Sequence, residues 1–443
     1  MTGLAARNGG RTGLAVLAAI LLLGLALRVD YAWEGRTPVF DAIAYGEIAR
    51  NLDESNGFTL GDGATQPASN YSPGLPLLIA GLYKLSGGPH ERFARLVLAL
   101  IGALSILFTY QIARRLSGPT AGLIGAGAVA IYPALLEYQG MFMGEPLAAT
   151  LLSGAILSML RATDRERQAA WLLPGVLLGT LTLVRPEYLS VTVLLALAVS
   201  IAPPRRRAEN VGISDEIGPS AGGLTCAAVL LLGAALVVAP WTMRNAVALD
   251  RFVPVSTGGG QVLFAGTYLP SDGDPERVGS EVVKHSPELF EPGDIERLRL
   301  EQILARLAAQ RYPDLPSDAA LGRMGREQLW DDVTQEPVEY AGFVATKVWR
   351  IWSHGPREVM ERPGWEVFHL VLVAFGLLGL AVLARQRRWE ALLLATVFVA
   401  ITAISALLVA SPRRILVMIP LVAALAGVGV TACRDSLARR WQR

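Results

Sequence analysis

The sequence predicts an all-α protein that crosses a membrane about ten times and carries two large loops on one side. Of its 443 residues, 52% are apolar and only 18% are charged, whereas soluble proteins carry about 25% charged residues. Apolar runs approaching the roughly 20 residues that a membrane span needs recur along the chain. The 40 basic and 38 acidic side chains nearly balance at +2, which excludes a nucleic-acid binder built on a large basic surface.

The predicted first span, 12–27, follows Arg7 and Arg11, and no small-residue cleavage site precedes Arg28. We therefore interpret it as an uncleaved helix that starts in the cytoplasm. Further spans are predicted at about 93–113, 119–136, 145–160, 169–185, 187–202, 222–241, 365–384, 391–410 and 412–433. Every second connection is rich in arginine, as the positive-inside rule requires of cytoplasmic loops; these are Arg114, Arg115, Arg161, Arg165, Arg167, Arg205, Arg206, Arg207, Arg385, Arg387 and Arg388, with Arg434, Arg439, Arg440 and Arg443 in the tail.

This alternation predicts a multi-pass protein of the cell (plasma) membrane with both termini in the cytoplasm. The predicted organisation is an N-terminal transmembrane catalytic module, 1–241, then a loop, 242–364, then C-terminal helices with a basic tail, 365–443. The loop 242–364 and a first loop, 29–92, lie on the non-cytoplasmic side. Apolar residues at helical spacing over 294–312 and 340–352 predict helices there, which lie on the membrane surface or pack on one another.

Asp41 and Tyr45 follow the first span and share one side of a predicted helix. A helix N-cap explains Asp41 structurally, and the functional hypothesis is a general base at the membrane surface. The segment Tyr71-Ser72-Pro73-Gly74-Leu75-Pro76 predicts a rigid turn, either a structural re-entry into the membrane or a substrate contact. Glu145, in Gly144-Glu145-Pro146, is either a cap or a functional carboxylate at the outer end of a span.

Three arginines stand on the side of the membrane where the positive-inside rule does not expect them. Arg185, in Arg185-Pro186-Glu187, needs either Glu187 or an external anion as its partner. Arg413 and Arg414 begin the last span. Guanidinium groups bind phosphate bidentately, so these residues predict a phosphate site; the alternative is snorkelling to lipid headgroups.

Metal and nucleotide sites find little support. The four histidines and the two cysteines lack metal-ligand spacing. Asp272-Gly273-Asp274 is a candidate ligand pair for a divalent cation, although a chance match in a polar loop is the favoured interpretation. The segment Gly258-Gly259-Gly260 lacks the strand and helix of a nucleotide loop. No cofactor is therefore assigned.

Together these motifs resemble the GT-C membrane glycosyltransferases, in the bacterial branch related to dolichyl-phosphate-mannose protein mannosyltransferases and to the lipid A aminoarabinose transferase. The resemblance rests on Asp41 and Tyr45, the turn 71–76, Gly144-Glu145-Pro146, Arg185-Pro186-Glu187 and Arg413-Arg414, together with Trp241-Thr242-Met243-Arg244-Asn245 and Arg251-Phe252-Val253-Pro254. It implies a sugar donor carried on polyprenyl phosphate and an acceptor (glycan, lipid or protein) at the outer face. It also implies inverting transfer of a hexose or a pentose in the cell envelope.

By the same resemblance Asp41 is the base, and Arg185, Arg413, Arg414 and Arg244 are candidates for the donor phosphate. We add Tyr45, Tyr71, Glu145 and Glu187 as substrate-binding candidates. Two features depart from the family: Asp41 has no neighbouring second carboxylate, and Ser72 stands where the lipid A branch has lysine. The alternative function is a transporter or flippase of a lipid-linked saccharide; the clustering of charges on one outer side favours the enzyme over it.

Overall fold

The computed structural model describes residues 2–39, 41–61, 66–165, 167–201, 221–272, 274, 276–355 and 358–442. Several residues quoted above lie outside this part, namely Arg205, Arg206, Arg207, Gly273 and Arg443. The long elements are all helices: α1 (Thr2–Glu34), α2 (Asp41–Asp53), α3 (Gly74–Ser86), α4 (Glu91–Ser117), α5 (Pro119–Ile131), α6 (Pro133–Gln139), α7 (Gly144–Ala162), α8 (Leu172–Val184), α9 (Tyr188–Ile201), α10 (Ala221–Leu249), α11 (Gly259–Thr267), α12 (Val278–His285), α13 (Asp294–Arg297), α14 (Leu300–Arg311), α15 (Ser317–Gln335), α16 (Pro337–Ser353), α17 (Pro363–Arg385), α18 (Trp389–Leu407) and α19 (Arg413–Trp441).

Six of the described helices are long and apolar enough to cross a membrane, or seven if a bent pair is counted as one span. This confirms the polytopic all-α class, while the predicted count of ten is not confirmed. The segments predicted at 169–185 and 187–202 are present as two shorter apolar helices, Gln168–Val184, in which a 3-10 turn leads into α8, and Tyr188–Ile201, which is α9. At about 1.5–2.0 Å per residue, these helices reach about 20–27 Å, less than the ~30 Å hydrocarbon core. The six are Thr12–Glu34, Glu91–Ser117, Gly222–Leu249, Pro363–Arg385, Trp389–Leu407 and Arg413–Trp441.

The bent pair is α5 and α6, which meet at an angle of 50° within the predicted span 119–136. Pro133 has no N–H and so leaves the carbonyl of Val129 without its helical donor. Arg28 of α1 replaces that donor: its guanidinium donates to the carbonyls of Val129 (3.1 Å) and Ala130 (3.2 Å). Arg28 is only 1% exposed, so this cation stabilises a break in a neighbouring helix.

The chain divides into two compact units. The first comprises Met1–Val255, Arg357–Phe398 and Leu416–Arg443, and the second comprises Ser256–Pro356 and Val399–Ile415. The first unit holds the helical bundle and the first loop. That loop contains α2, α3 and a short antiparallel pair, β1 (Thr59–Leu60) with β2 (Gln66–Pro67), in which Thr59 pairs with Pro67.

The second unit is built around α11, α12, α14 and α15. Their apolar sides form one core, in which Phe264, Val282, Leu304 and Leu321 are almost fully buried. The helix predicted over 294–312 is present as α13 and α14, which are separated by extended backbone at Leu298. The segment predicted over 340–352 lies within α16. The helices of the loop therefore pack on one another, one of the two arrangements that the sequence predicted.

Candidate active site

Asp41 is the first residue of α2, and Tyr45 lies one turn further along that helix. The Tyr45 ring is buried and packs edge-on against Tyr71, with 6.0 Å between the ring centroids. A Cβ placed on Gly46 would lie 3.5 Å from the ring of Phe142, just before α7. These contacts hold the start of α2 against the turn 71–76 and against the segment that leads into α7.

The turn at Pro73 and Gly74 fits closely against the end of α8. A Cβ on Gly74 would lie 2.8 Å from the Val184 side chain and 2.9 Å from the backbone of Leu183 and Val184. A residue with a side chain would clash there, so glycine is needed for the approach of α3 to α8. The sequence predicted a rigid turn here, and the structure adds the neighbour that the turn contacts.

Glu145 forms an ion pair with Arg185. The Glu145 side chain is fully buried and that of Arg185 is 16% exposed. Arg185 has extended backbone, as the residue before a proline prefers, and it ends α8 at Val184. The N-cap of α7 is Met143, so Glu145 does not cap that helix. The carboxylate of Glu145, in one motif, therefore holds the guanidinium of Arg185, in the next motif along the chain.

This pairing was not among the predicted alternatives, which were Glu187 or an external anion. Glu187 lies in the same tight turn and is half-buried, and its backbone carbonyl accepts a hydrogen bond from Ser190 (2.7 Å). Sequence distance explains the miss: Glu145 and Arg185 are forty residues apart, and only the packing of α7 on α8 brings them together.

The motif Trp241–Asn245 is tied to the segment that follows α10. Trp241 Nε1 donates to the Val255 carbonyl (2.7 Å), and Thr242 Oγ1 donates to that of Pro254 (2.8 Å). Asn245 Nδ2 donates to the carbonyls of Val253 (3.1 Å) and Val255 (2.9 Å). In all of these bonds a side chain of α10 donates to a backbone carbonyl of the following segment. The two parts of the motif therefore form one hydrogen-bonded structure.

Arg244 lies over the rings of Trp241 (4.9 Å) and Phe58 (5.8 Å) and donates to Asn245 Oδ1 (3.1 Å). Phe58 belongs to a small buried cluster against which Tyr71 also packs. Arg244 is therefore joined, through Phe58 and Tyr71, to the helix that begins at Asp41. We call these residues the helix-end cluster; it comprises Asp41, Tyr45, Tyr71, Gly74, Glu145, Arg185, Glu187 and Arg244.

Arg413 and Arg414 fall in the second unit. There Arg414 donates to the Val409 carbonyl in the connection between α18 and α19. The fully buried Lys347 of α16 donates to the carbonyls of Gly266 (2.7 Å) and Ala406 (2.6 Å). Burial, with a smaller contribution from the charge of Arg414, lowers the pKa of Lys347 to about 7.

Sequence reasoning missed Lys347 and Arg28. Lys347 occupies a position that the apolar pattern of α16 marks as buried, since it follows Tyr340 and Phe343 and precedes Ile351 at helical spacing. A lysine in such a row was the available signal. For Arg28 the signal was a cation next to an apolar run.

Asp272 and Asp274, the candidate ligand pair for a divalent cation, make other contacts. Asp272 accepts a hydrogen bond from Arg350 on its carboxylate (3.2 Å) and another on its backbone carbonyl (2.8 Å). The Asp274 carboxylate accepts the backbone N–H of Glu276 (3.0 Å). In the part of the chain that the structure describes, no group of three or more His, Cys, Asp or Glu side chains could hold a metal ion.

Known proteins resemble this chain in sequence and in fold. Residues 68–215 match the family model of dolichyl-phosphate-mannose-protein mannosyltransferases. The resemblance to that family is confirmed. The matched segment contains three of the motifs of the helix-end cluster, at Tyr71, Glu145 and Arg185. No curated protein matches the sequence.

Among solved structures, an oligosaccharyltransferase from Archaeoglobus fulgidus covers 97% of this chain at a TM-score of 0.57 and 16% identity. The same enzyme in complex with an inhibitory peptide and a dolichol-phosphate has a TM-score of 0.55. This likeness shows a GT-C-like fold. The chain spans 52% of the length of the first of these structures. ArnT from Cupriavidus metallidurans, bound to undecaprenyl phosphate, covers 93% of this chain and 77% of its own, at 16% identity and a TM-score of 0.38.

Proposed function

We propose that the chain is a membrane glycosyltransferase that moves a sugar from a polyprenyl-phosphate donor to an acceptor hydroxyl at the outer face of the membrane. One observation carries the proposal. The helix that begins at Asp41, the turn at Tyr71 and Gly74, the ion pair of Glu145 with Arg185, and Arg244 are joined by contacts into one cluster. The family model that matches 68–215 describes enzymes of this chemical class.

In the proposed reaction Asp41 is the general base. Its carboxylate takes the proton of the acceptor hydroxyl as that oxygen attacks the anomeric carbon of the donor. The bond between this carbon and the phosphate oxygen breaks, and its electron pair leaves with the polyprenyl phosphate. A single displacement inverts the anomeric configuration. The starting position of α2, held by the contacts of Tyr45, sets where the base lies.

Cations stabilise the negative charge that develops on the departing phosphate. Arg185 and Arg244 are the candidates within the first unit, and Arg413 and Arg414 are those of the second. Glu145 fixes the Arg185 guanidinium in a buried position, and stacking on Trp241 fixes that of Arg244. A cation that is already oriented loses little side-chain entropy when it binds phosphate.

The test is sugar transfer by the purified chain in nanodiscs, supplied with radiolabelled polyprenyl-phosphate mannose as the hexose donor and polyprenyl-phosphate arabinose as the pentose donor. Membranes of the source cell supply the acceptor. We expect Asp41→Asn to lower the transfer rate by at least about 100-fold while polyprenyl-phosphate binding stays unchanged. Asp53→Asn, at the far end of the same helix, is the matched control and should keep the wild-type rate.

Wild-type turnover by Asp41→Asn would remove Asp41 as the base. Absence of transfer by the wild-type chain from both donors, with the polyprenyl-phosphate sugar carried across the bilayer of proteoliposomes instead, would favour the flippase over the enzyme. Arg185→Lys, which keeps a cation beside the buried Glu145 but cannot bind phosphate bidentately, should mainly raise the KM for the donor.

A further inference from the structure

A groove lies on the solvent side of α14 and α15 in the second unit, with a volume of about 610 Å³. The opposite sides of these helices form the buried core, through residues such as Leu304 and Leu321. The side chains that line the groove include Arg311, Arg326 and Trp330. Its volume lies within the range of small-molecule sites.

Three of the side chains that line the groove are joined by hydrogen bonds. The Tyr312 hydroxyl lies 2.6 Å from both carboxylate oxygens of Glu327. Arg323 donates to the same carboxylate (3.1 Å), and its guanidinium lies 4.6 Å from the centre of the Tyr312 ring. Because Tyr312 and Arg323 both donate to it, the pKa of the Glu327 carboxyl lies below its ordinary value. These three side chains therefore form a preorganised surface.

Trp330 lies one turn beyond Glu327 and is 71% exposed. An exposed indole offers a flat apolar surface with one polar N–H, which suits a ligand that is apolar on one face and polar at its edges. A pyranose ring has this character, since its C–H groups share a face and its hydroxyls project sideways. The groove also holds a carboxylate, from Asp331 next to Trp330, and a guanidinium group, from Arg326, which could bind the hydroxyls at the edge of such a ring.

The charges of the groove select among saccharides. Three arginines and two carboxylates line it, and one of the carboxylates, Glu327, is already engaged by Tyr312 and Arg323. The remaining charge is positive, and guanidinium groups bind carboxylates bidentately. An acidic sugar fits this balance better than a neutral one does.

We propose that this groove binds an acidic saccharide, with a ring of the saccharide stacked on Trp330 and its carboxylate held by Arg326 or Arg311. The proposal rests on the proposed function in one respect: the saccharide is the glycan acceptor of the transfer reaction, bound outside the reacting centre. The groove thereby gives the acceptor a chemical class, a uronic-acid-containing glycan of the cell envelope.

The test is isothermal titration calorimetry of the full chain in nanodiscs, with tetragalacturonic acid as the acidic probe and maltotetraose as the neutral one. We expect the acidic probe to bind and the neutral probe to bind at least tenfold more weakly. Trp330→Ala should weaken binding of the acidic probe by about tenfold or more. Trp349→Ala, which removes another exposed tryptophan (68%) of the same unit, should leave it unchanged.

Several outcomes would overturn the proposal. Equal affinity of Trp330→Ala and the wild type would remove the stacking platform, and equal affinity for maltotetraose would remove the selection for acid. If Arg326→Gln binds the acidic probe as the wild type does and Arg311→Gln does too, the guanidinium contacts are wrong. Thermal unfolding of each variant shows that the fold is retained.

The two proposals fail separately. Asp41→Asn should bind tetragalacturonic acid as the wild type does while transferring no sugar. Binding that depends on Trp330, in a wild-type chain that transfers no sugar from any donor, would overturn the proposed function and keep the groove as a saccharide site. Sugar transfer by a wild-type chain that does not bind the probe would overturn the groove alone.

Discussion

Two buried cations of this protein are stabilised in different ways. In the first unit Arg185 is paired with the buried carboxylate of Glu145. In the second unit Lys347 is surrounded by protein and donates to two backbone carbonyls, those of Gly266 and Ala406. A carboxylate compensates the charge of its partner, whereas carbonyl dipoles satisfy hydrogen bonds without cancelling the charge. The first site therefore holds a fixed charge, and the second holds an amine that releases its proton near pH 7.

The largest effect that we expect comes from breaking the ion pair. Glu145→Gln leaves the Arg185 charge buried without its compensating carboxylate, which costs about 3–5 kcal/mol. Equilibrium unfolding in mixed detergent micelles measures the loss. Glu34→Gln, which breaks the exposed ion pair of Glu34 with Arg36, is the control and should change stability by at most about 1 kcal/mol. An equal loss in both variants would mean that burial adds nothing to the ion pair of Glu145 with Arg185.

The next largest effect concerns the other cation. Lys347→Met keeps the length of the side chain but leaves the carbonyls of Gly266 and Ala406 without their donor, at about 1–3 kcal/mol each. Removal of the buried ammonium offsets part of this cost. Lys284→Met, at an exposed lysine of the same unit, should stay within about 0.5 kcal/mol of the wild type. A Lys347→Met variant as stable as this control would show that the two hydrogen bonds contribute nothing net.

A smaller effect tests how tightly the helix-end cluster is packed. Gly74→Ala places a methyl group 2.8–2.9 Å from Leu183 and Val184, and overpacking of this kind costs about 1–3 kcal/mol. Gly81→Ala, on the same helix with no atom within 4 Å of the new Cβ, should be neutral or slightly stabilising. Thermal unfolding of both variants, together with the KM for the donor, compares them. Equal behaviour of the two would contradict the close approach of α3 to α8.

The last prediction concerns how the stability of the second unit depends on pH, and its expected effect per pH unit is the smallest. Folding lowers the pKa of Lys347 from 10.5 to about 7, so between these values the unfolded chain binds more protons than the folded chain. Stability therefore rises with pH across this window, by at most about 1.4 kcal/mol per pH unit, and Lys347 adds no slope below it. Unfolding curves from pH 6 to 10 should show this rise in the wild type and a smaller one in Lys347→Met. Equal slopes would assign the rise to other groups.

The sequence alone determined the class of the protein and the identity of its motifs. Spans can be predicted because a helix that crosses a bilayer needs about 20 consecutive apolar residues. Such a run can be recognised from neighbouring residues alone. The predicted count of ten is not confirmed, because some of the predicted segments, such as those at α8 and α9, are shorter than a full span. The rigid turn at Pro73 and Gly74 was also predicted from local sequence, because a Pro-Gly pair marks a turn.

Only the tertiary structure decided which of these residues meet. The partner of Arg185 is forty residues away on another helix, and the donor that replaces the missing N–H of Pro133 comes from Arg28, about a hundred residues earlier. Lys347 stands in an apolar row, and its burial becomes visible only when α16 packs on Gly266 and Ala406. A buried polar group forms hydrogen bonds with the groups that lie beside it in the folded protein. The order of residues in the chain does not show which groups these are.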